Sequence, residues 1–72
     1  MHTVQEAVLA IVRSYAEDAQ FGSDLEELGI DSLGLLEIGC ELEGLYGDKA
    51  YLGGNDLGRI KTVQDLIDFI NR

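Results

Sequence analysis

Three segments of this 72-residue chain place apolar residues at helical spacing, and no segment shows the alternation of a half-buried strand. The first segment opens with Thr3-x-x-Glu6, a pattern typical of a helix start, in which the hydroxyl and the carboxylate bond to otherwise unpaired amides. The apolar positions behind it, which share one face, are Val4, Val8, Ile11, Val12 and Tyr15. This pattern predicts an amphipathic helix from Thr3 to about Tyr15.

A second helical segment begins at Asp31. Aspartate directly before a periodic apolar run is a preferred N-cap, because its carboxylate accepts a bond from an amide of the first turn. The pattern continues to about Tyr46, and Gly47 follows as a stop signal. We therefore predict a helix from Asp31 to about Tyr46.

The C-terminal part of the chain divides into a glycine-rich stretch and a last helix. Residues 48–61 are weakly patterned, and their glycines favour a loop with at most a short turn around residues 56–60. Thr62-x-x-Asp65 is another capping pattern, and the apolar residues that follow it at helical spacing are Val63, Leu66, Ile67 and Ile70. The chain is thus predicted to be all-α, a small four-helix bundle of three main helices plus a short third helix, in one domain spanning residues 1–72.

The connection between the first two predicted helices, residues 17–30, is long for so small a chain. We expect its spaced apolar residues to pin it to the core, namely Phe21, Leu25, Leu28 and Ile30. Ser23-x-x-Glu26 is expected to start a single helical turn that Gly29 stops. A connection of this length is usually functional or poorly ordered.

The chain is strongly acidic, with 14 Asp and Glu against five Lys and Arg and a formal net charge of −9. This charge repels nucleic acid and anionic membranes and favours partners with basic patches, although acidic residues also serve simply to keep a small protein in solution. No apolar run approaches a membrane span, and the first six residues lack the basic start of a signal peptide. The single Cys40 excludes an internal disulfide. We expect a cytoplasmic monomer without membrane insertion.

A helical wheel divides the apolar residues of the second predicted helix into two faces. The larger face is expected to meet the core and contains Leu35, Ile38, Gly39, Leu42, Leu45 and Tyr46. The smaller face is a strip of Leu33, Leu36 and Cys40, flanked by Glu37 and Glu43. Two interpretations remain open: the strip packs beneath the long connection, or it docks a basic, partly apolar partner surface.

Ser32 follows the predicted N-cap and falls in the first turn of this helix. Because Asp31 can serve as the cap, the Ser32 hydroxyl is left near amide donors and the positive end of the helix dipole, where a phosphate ester is favoured. The simpler interpretation is that Asp31 and Ser32 only cap the helix. The one histidine, His2, is far away in sequence, which argues against a hydrolase built on serine, histidine and an acid.

The sequence offers no obvious metal site. Single cysteine and histidine residues cannot form a zinc cluster. A calcium-binding EF-hand register that starts at Asp48 fails, because it places Ala50 and Leu52 at ligand positions. We expect no resident metal ion.

The segment Leu28-Gly29-Ile30-Asp31-Ser32-Leu33 resembles the attachment motif of acyl and peptidyl carrier proteins. The resemblance covers most of the chain, from the capped first helix and the long connection to the closing Thr62-Val63-Gln64-Asp65-Leu66-Ile67. It implies an acyl-carrier-like bundle in which Ser32 receives 4′-phosphopantetheine from coenzyme A through a separate phosphopantetheinyl transferase. It also implies that Asp31 helps to position the transferase and a Mg²⁺ ion, which is needed only during loading.

A carrier of this family holds a biosynthetic intermediate as a thioester and presents it to enzymes of fatty-acid, polyketide or related specialised biosynthesis, and it is not itself an enzyme. The resemblance implies acyl-loading and acyl-processing partners with basic docking patches, which would meet Leu33, Leu36, Glu37, Cys40 and Glu43. Asp31 before the serine favours acyl carriers over the alternative of a peptidyl or aminoacyl carrier of a nonribosomal pathway. An alternative from a different class is an unmodified, acidic helical protein-interaction module.

Glycines in the second predicted helix depart from the family pattern. Gly34 and Gly44 stand where relatives often carry acidic residues. Gly39 falls on the core face, where a larger apolar residue is usual, and we expect it to widen the interior for a bound acyl or aryl group. Residues 53–59 lack the acidic run common in carriers of fatty-acid synthesis, which favours a specialised pathway.

Overall fold

The structure is a computed structural model that describes residues 3–72; Met1 and His2, including the expectations placed on them above, lie outside the described residues. Four α-helices occur in this part of the chain: α1 (Val4–Tyr15), α2 (Ser32–Tyr46), α3 (Gly54–Leu57) and α4 (Val63–Asn71). A 3₁₀ helix, Gly47–Ala50, follows α2 directly. Residues 3–72 contain no strand and only one isolated antiparallel bridge, between Asp24 and Thr62, so the all-α prediction is confirmed.

The first and last helices begin where their capping patterns predict. Thr3 Oγ1 accepts the amide of Glu6 at 3.1 Å, and Thr62 Oγ1 accepts the amide of Asp65 at 3.1 Å. These hydroxyls replace the intrahelical acceptors that first-turn amides lack. At α4 the capping box is complete, because the carboxylate of Asp65 accepts the amide of Thr62 at 3.1 Å.

The prediction that Ser23 caps a turn in the long connection is wrong. Ser23 Oγ accepts the amide of Gln20 at 2.9 Å, and Oδ1 of Asp24 accepts the amide of Glu26 at 2.9 Å. Asp24 thus takes the capping position, and its carbonyl accepts the amide of Leu28 at 3.1 Å, which is the hydrogen bond of one helical turn. Gly29 ends this turn at a φ of 81°, as expected.

Most of the expected anchors hold the long connection on the core. Leu25 and Ile30 are buried, and Leu28 is half-buried against the core. The amide of Leu25 donates to the carbonyl of Lys61 at 2.8 Å, which ties the connection to the segment before α4. Phe21 was expected to be an anchor, but it is 41% exposed, and it holds the connection through its carbonyl, which accepts the amide of Gln64 at 2.9 Å.

The glycine-rich stretch contains more helix than the sequence predicts. The expected short turn around residues 56–60 is present, because the carbonyl of Asp56 accepts the amides of Arg59 and Ile60 at 3.0 and 3.2 Å, and the single-turn helix α3 leads into it. No residue of α3 is buried, but Oδ2 of Asp56 accepts the amide of Gly53 at 3.0 Å, and the flanking Leu52 and Ile60 are buried. The buried Leu52 and Ile60 and the cap from Asp56 thus hold α3 in place, although its glycines disfavour a helix.

The core draws on all three long helices and the connections between them. The buried residues of α1, α2 and α4 are Val8, Val12, Leu35, Ile38, Gly39, Leu42, Val63, Leu66, Ile67 and Ile70. Two residues assigned to the apolar faces are instead exposed, Leu45 by 62% and Tyr15 by 41%. Both residues lie in the last turn of their helix. A helical wheel gives the direction of a side chain, but it does not show whether a neighbouring helix extends far enough to cover it. Every helix in residues 3–72 is too short or too polar to cross a membrane.

Candidate functional site

Ser32 is the first residue of α2, and its side chain is exposed. Asp31 before it is the N-cap: its Oδ1 accepts the amide of Gly34 at 2.9 Å, and its carbonyl accepts the amide of Leu35 at 2.9 Å. Asp31 therefore caps the helix alone, as predicted, and the Ser32 hydroxyl is not required as a cap. That hydroxyl is accessible to a modifying enzyme.

The start of α2 differs from the start of α4. At α4 the amides of Val63 and Gln64 donate to carbonyls of the long connection, those of Ser23 and Phe21, at 3.1 and 2.9 Å. The first two amides of α2 have no protein acceptor within residues 3–72. Amides at a helix start carry the positive end of the helix dipole and favour a phosphate group beside them. The beginning of α2 therefore offers two amides to a phosphate group.

A cleft of about 550 Å³ opens beside Ser32. Its apolar lining residues come from the connection, from α2 and from the segment around α3, and they are Leu25, Ile30, Leu35, Leu57 and Ile60. Its polar lining residues are Asp24, Glu26, Asp31, Ser32 and Lys61. The cleft thus combines polar and apolar lining residues, next to the hydroxyl that the sequence singled out.

Sequence reasoning missed this cleft. The anchors Leu25 and Ile30 were recognised, but the opposite wall, with Leu57 and Ile60, was assigned to a weakly patterned loop. These residues are more than twenty positions apart in the chain, and no local pattern indicates that they face each other.

The apolar strip of α2 lies on the protein surface. Leu33 is 65% exposed, Leu36 is 39% exposed, and Cys40 is exposed. Glu37 beside the strip is exposed, and Glu43 is half-buried. The interpretation that the strip packs beneath the long connection is therefore wrong, and the chain presents an apolar surface with carboxylates at its edges.

Tyr15 lies at the edge of this strip, although the sequence assigned it to the core. Its hydroxyl donates a hydrogen bond to Oε2 of Glu41 at 2.9 Å. This bond raises the pKa of Tyr15, and partial desolvation and the negative charges of Glu41 and Glu37 raise it further. The last turn of α1 thus adds a phenol to the acidic side of α2.

Within residues 3–72, no three His, Cys, Asp or Glu side chains form a group that could hold a metal ion. Ser32 presents an exposed hydroxyl at a helix start, between the cleft and an acidic, partly apolar helix face. No protein-family model, no curated protein and no solved structure matches this chain.

Proposed function

We propose that this protein is an acyl carrier protein with the four-helix architecture of that family. Ser32 carries a 4′-phosphopantetheine arm, which holds a biosynthetic intermediate as a thioester and presents it to enzymes of fatty-acid, polyketide or related specialised biosynthesis. The carrier itself makes and breaks no bonds of the intermediate. Support comes from the resemblance of residues 28–33 to the attachment motif and from an all-α fold with this motif at the start of α2.

The observation that carries the proposal is the division of roles between Asp31 and Ser32. Asp31 accepts the amide of Gly34 and caps α2, while Ser32 stays exposed one residue later. A serine that served only as the cap would occupy the position of Asp31. The exposed hydroxyl, beside amides that suit a phosphate, fits the attachment of a phosphodiester.

Residues next to Ser32 are also compatible with the group that the arm would carry. The arm supplies a terminal thiol, which forms the thioester with the carried group. Among the apolar residues that line the cleft beside Ser32, Leu57 is half-buried and offers its side chain to a carried hydrocarbon, whose burial is favourable. A separate phosphopantetheinyl transferase, with its Mg²⁺, performs the loading.

The exposed strip of Leu33, Leu36 and Cys40 is proposed as the docking surface for partner enzymes, with Glu37 and Glu43 at its edges. A partner that combines basic residues with a small apolar patch would match it in both respects. The same exposure supports the second candidate, an unmodified acidic interaction module. The two candidates differ only in the fate of Ser32.

One experiment separates these candidates. The purified protein is incubated with coenzyme A, Mg²⁺ and a broad-specificity phosphopantetheinyl transferase, and the intact mass is measured. A carrier gains one phosphopantetheine, and Ser32→Ala gains none. Ser14→Ala is the matched control, because Ser14 is also exposed but its hydroxyl donates to the carbonyl of Ile11 within α1. Unchanged mass in the wild-type chain would leave the interaction module as the better explanation.

A matched pair of leucines tests the docking surface. Leu33 and Leu45 are both on α2 and are exposed by 65% and 62%, but only Leu33 belongs to the strip. Leu33→Ala is expected to lower the loading rate by about tenfold, which corresponds to about 1.4 kcal/mol of lost interaction. Leu45→Ala is expected to load at the wild-type rate. Equal rates for both variants would place the transferase contact elsewhere.

A further inference from the structure

The cleft beside Ser32 contains one cation among several carboxylates. Among the Lys and Arg side chains of residues 3–72, only Lys61 lines this cleft. The carboxylates that line it are those of Asp24, Glu26 and Asp31. A phosphodiester on Ser32 would add another negative charge, which these carboxylates repel and the ammonium of Lys61 attracts. Lys61 is therefore the charged side chain of the cleft that favours an attached phosphate.

The backbone of Lys61 is held in place from two sides. Its amide donates to Oδ2 of Asp65 at 3.0 Å, and its carbonyl accepts the amide of Leu25 at 2.8 Å. The preceding Ile60 is buried, whereas Lys61 itself is exposed. The backbone is thus fixed at the cleft, while the flexible four-carbon side chain is free to place its ammonium beside a group attached at the edge.

The acidic neighbours leave this ammonium available. Oδ1 of Asp31 accepts the amide of Gly34, and Oδ1 of Asp24 accepts the amide of Glu26, both at 2.9 Å. Lys61 forms no ion pair with any residue from 3 to 72. A lysine without such a pair binds phosphate as a point charge.

We propose that the ammonium of Lys61 binds the phosphodiester of the arm on Ser32 and holds the base of the arm on the cleft side of α2. The inference rests on the proposed carrier function and adds a positioning residue for the arm. The residues of the exposed strip, Leu33, Leu36 and Cys40, do not line the cleft. An arm held by Lys61 therefore leaves the strip free for partner enzymes.

The test is a double-mutant cycle between the phosphodiester and Lys61. Wild type, Lys61→Gln, Lys61→Arg and Arg59→Gln are loaded to completion from coenzyme A, which intact mass verifies, and the unloaded and loaded forms are melted at low salt. Arg59→Gln is the matched control, because Arg59 is an exposed cation two residues away that does not line the cleft. The charge of Lys61 adds to the backbone bond that lowers the pKa of Asp65, but this effect is present in both forms and cancels.

Loading should stabilise the wild type more than Lys61→Gln. The change in melting temperature on loading should be about 2–4 °C more favourable in the wild type, the effect of one exposed ion pair in a domain of this size. Lys61→Arg keeps the charge and should retain the wild-type change, and Arg59→Gln should retain it as well. In about 1 M NaCl the difference should disappear, because the charges are then screened.

The phosphorus-31 resonance of the loaded protein reports on the phosphodiester directly. At low salt its chemical shift in Lys61→Gln should differ from the shift in the wild type, while Arg59→Gln should match the wild type. This measurement does not depend on the activity of any partner enzyme.

The outcomes separate the inference from the proposed function. Absence of any mass gain in the wild type overturns the carrier function. A loaded wild type whose change in melting temperature is the same as that of Lys61→Gln overturns the role of Lys61. A folded Lys61→Gln that cannot be loaded overturns it too, because Lys61 would then serve the transferase. Changes in melting temperature and in the phosphorus-31 shift that are confined to Lys61→Gln establish the inference.

Discussion

Oδ2 of Asp65 accepts the backbone amide of Lys61 at 3.0 Å, so the first turn of α4 holds the segment that precedes it. The same oxygen accepts the amide of Thr62, and the carbonyl of Lys61 accepts the amide of Leu25 from the long connection. One carboxylate therefore supports both the start of α4 and the place where the connection is attached. This segment also forms part of the cleft beside Ser32.

The first prediction concerns stability in acid. The hydrogen bond from the Lys61 amide lowers the pKa of Asp65 below its ordinary value of 3.8, with further lowering by Thr62 and the charge of Lys61 and a smaller opposing effect of desolvation. Because the pKa of Asp65 is lower in the folded state than in the unfolded state, the ionised carboxylate stabilises the protein at pH values above the unfolded-state pKa. This stabilisation is lost as pH falls through the folded-state pKa. Asp65→Asn should therefore be less stable than the wild type at neutral pH, and the difference should shrink in acid.

Urea unfolding between pH 7 and pH 2 measures this effect. Asp68→Asn is the control, because Asp68 is an exposed carboxylate of the same helix that accepts a bond from the side chain of Gln64 rather than from the backbone. At neutral pH, Asp68→Asn should differ from the wild type in unfolding free energy by less than Asp65→Asn does. A constant difference for Asp65→Asn across the whole range would contradict the assignment.

The second prediction concerns stability in alkali. Tyr15 has a pKa raised above 10.0, first by its hydrogen bond to Glu41, so the folded state holds the phenolic proton more tightly than the unfolded state. The resulting stability is complete below pH 10 and declines as pH rises through the folded-state pKa. Tyr15→Phe should lose this part of the alkaline decline. Tyr51→Phe, at an exposed site without the bond to Glu41, should keep it, and equal pH profiles for the two variants would show that the bond to Glu41 is unimportant.

The third prediction separates the two roles of Asp31. Asparagine caps helices about as well as aspartate, so Asp31→Asn should retain nearly wild-type stability, whereas Asp31→Ala should lose about 1 kcal/mol. Under the carrier proposal both variants load more slowly, because both lack the carboxylate that assists Mg²⁺ and the transferase. Thermal unfolding and intact-mass time courses measure the two effects. Wild-type loading of Asp31→Asn would restrict Asp31 to capping.

The fourth prediction compares two glycines of α2. A Cβ on Gly44 meets nothing within 4 Å, so Gly44→Ala should stabilise the protein by roughly 0.8–1 kcal/mol through helix propensity. Gly39→Ala offers the same propensity gain, but its Cβ would displace the buried Leu52, and overpacking costs about 1–3 kcal/mol. Gly39→Ala should therefore unfold at lower urea concentration than Gly44→Ala. Equal stabilisation by both would mean that Leu52 moves aside freely.

The fifth prediction follows from the net charge of −9. No charged side chain in residues 3–72 is buried, so the repulsion among acidic groups acts at the surface, where salt screens it. Added NaCl or Mg²⁺ should raise the melting temperature at pH 7. Near the sequence isoelectric point of 4.1 the same NaCl addition should have little effect. A melting temperature indifferent to salt at pH 7 would mean that the charges are already balanced locally.

The positions of the long helices follow from the sequence because helix signals are local. Thr3, Asp31 and Thr62 each bond to an amide three residues later, and such a bond needs no other part of the fold. The periodic apolar residues behind each cap likewise select one face for burial. The same local pattern predicted that Asp31 caps α2 and that the Ser32 hydroxyl is not needed as a cap.

Packing between distant segments decided the rest. The position of α3 depends on the buried Leu52 and Ile60 at its two ends, and the cleft exists because the long connection and the segment around α3 both approach α2. Gly39 shows the difference most clearly: the sequence indicated a missing side chain in the core, but only the folded chain shows that Leu52 takes its place. Dispersion and burial depend on which atoms meet in space, and a one-dimensional pattern does not contain that information.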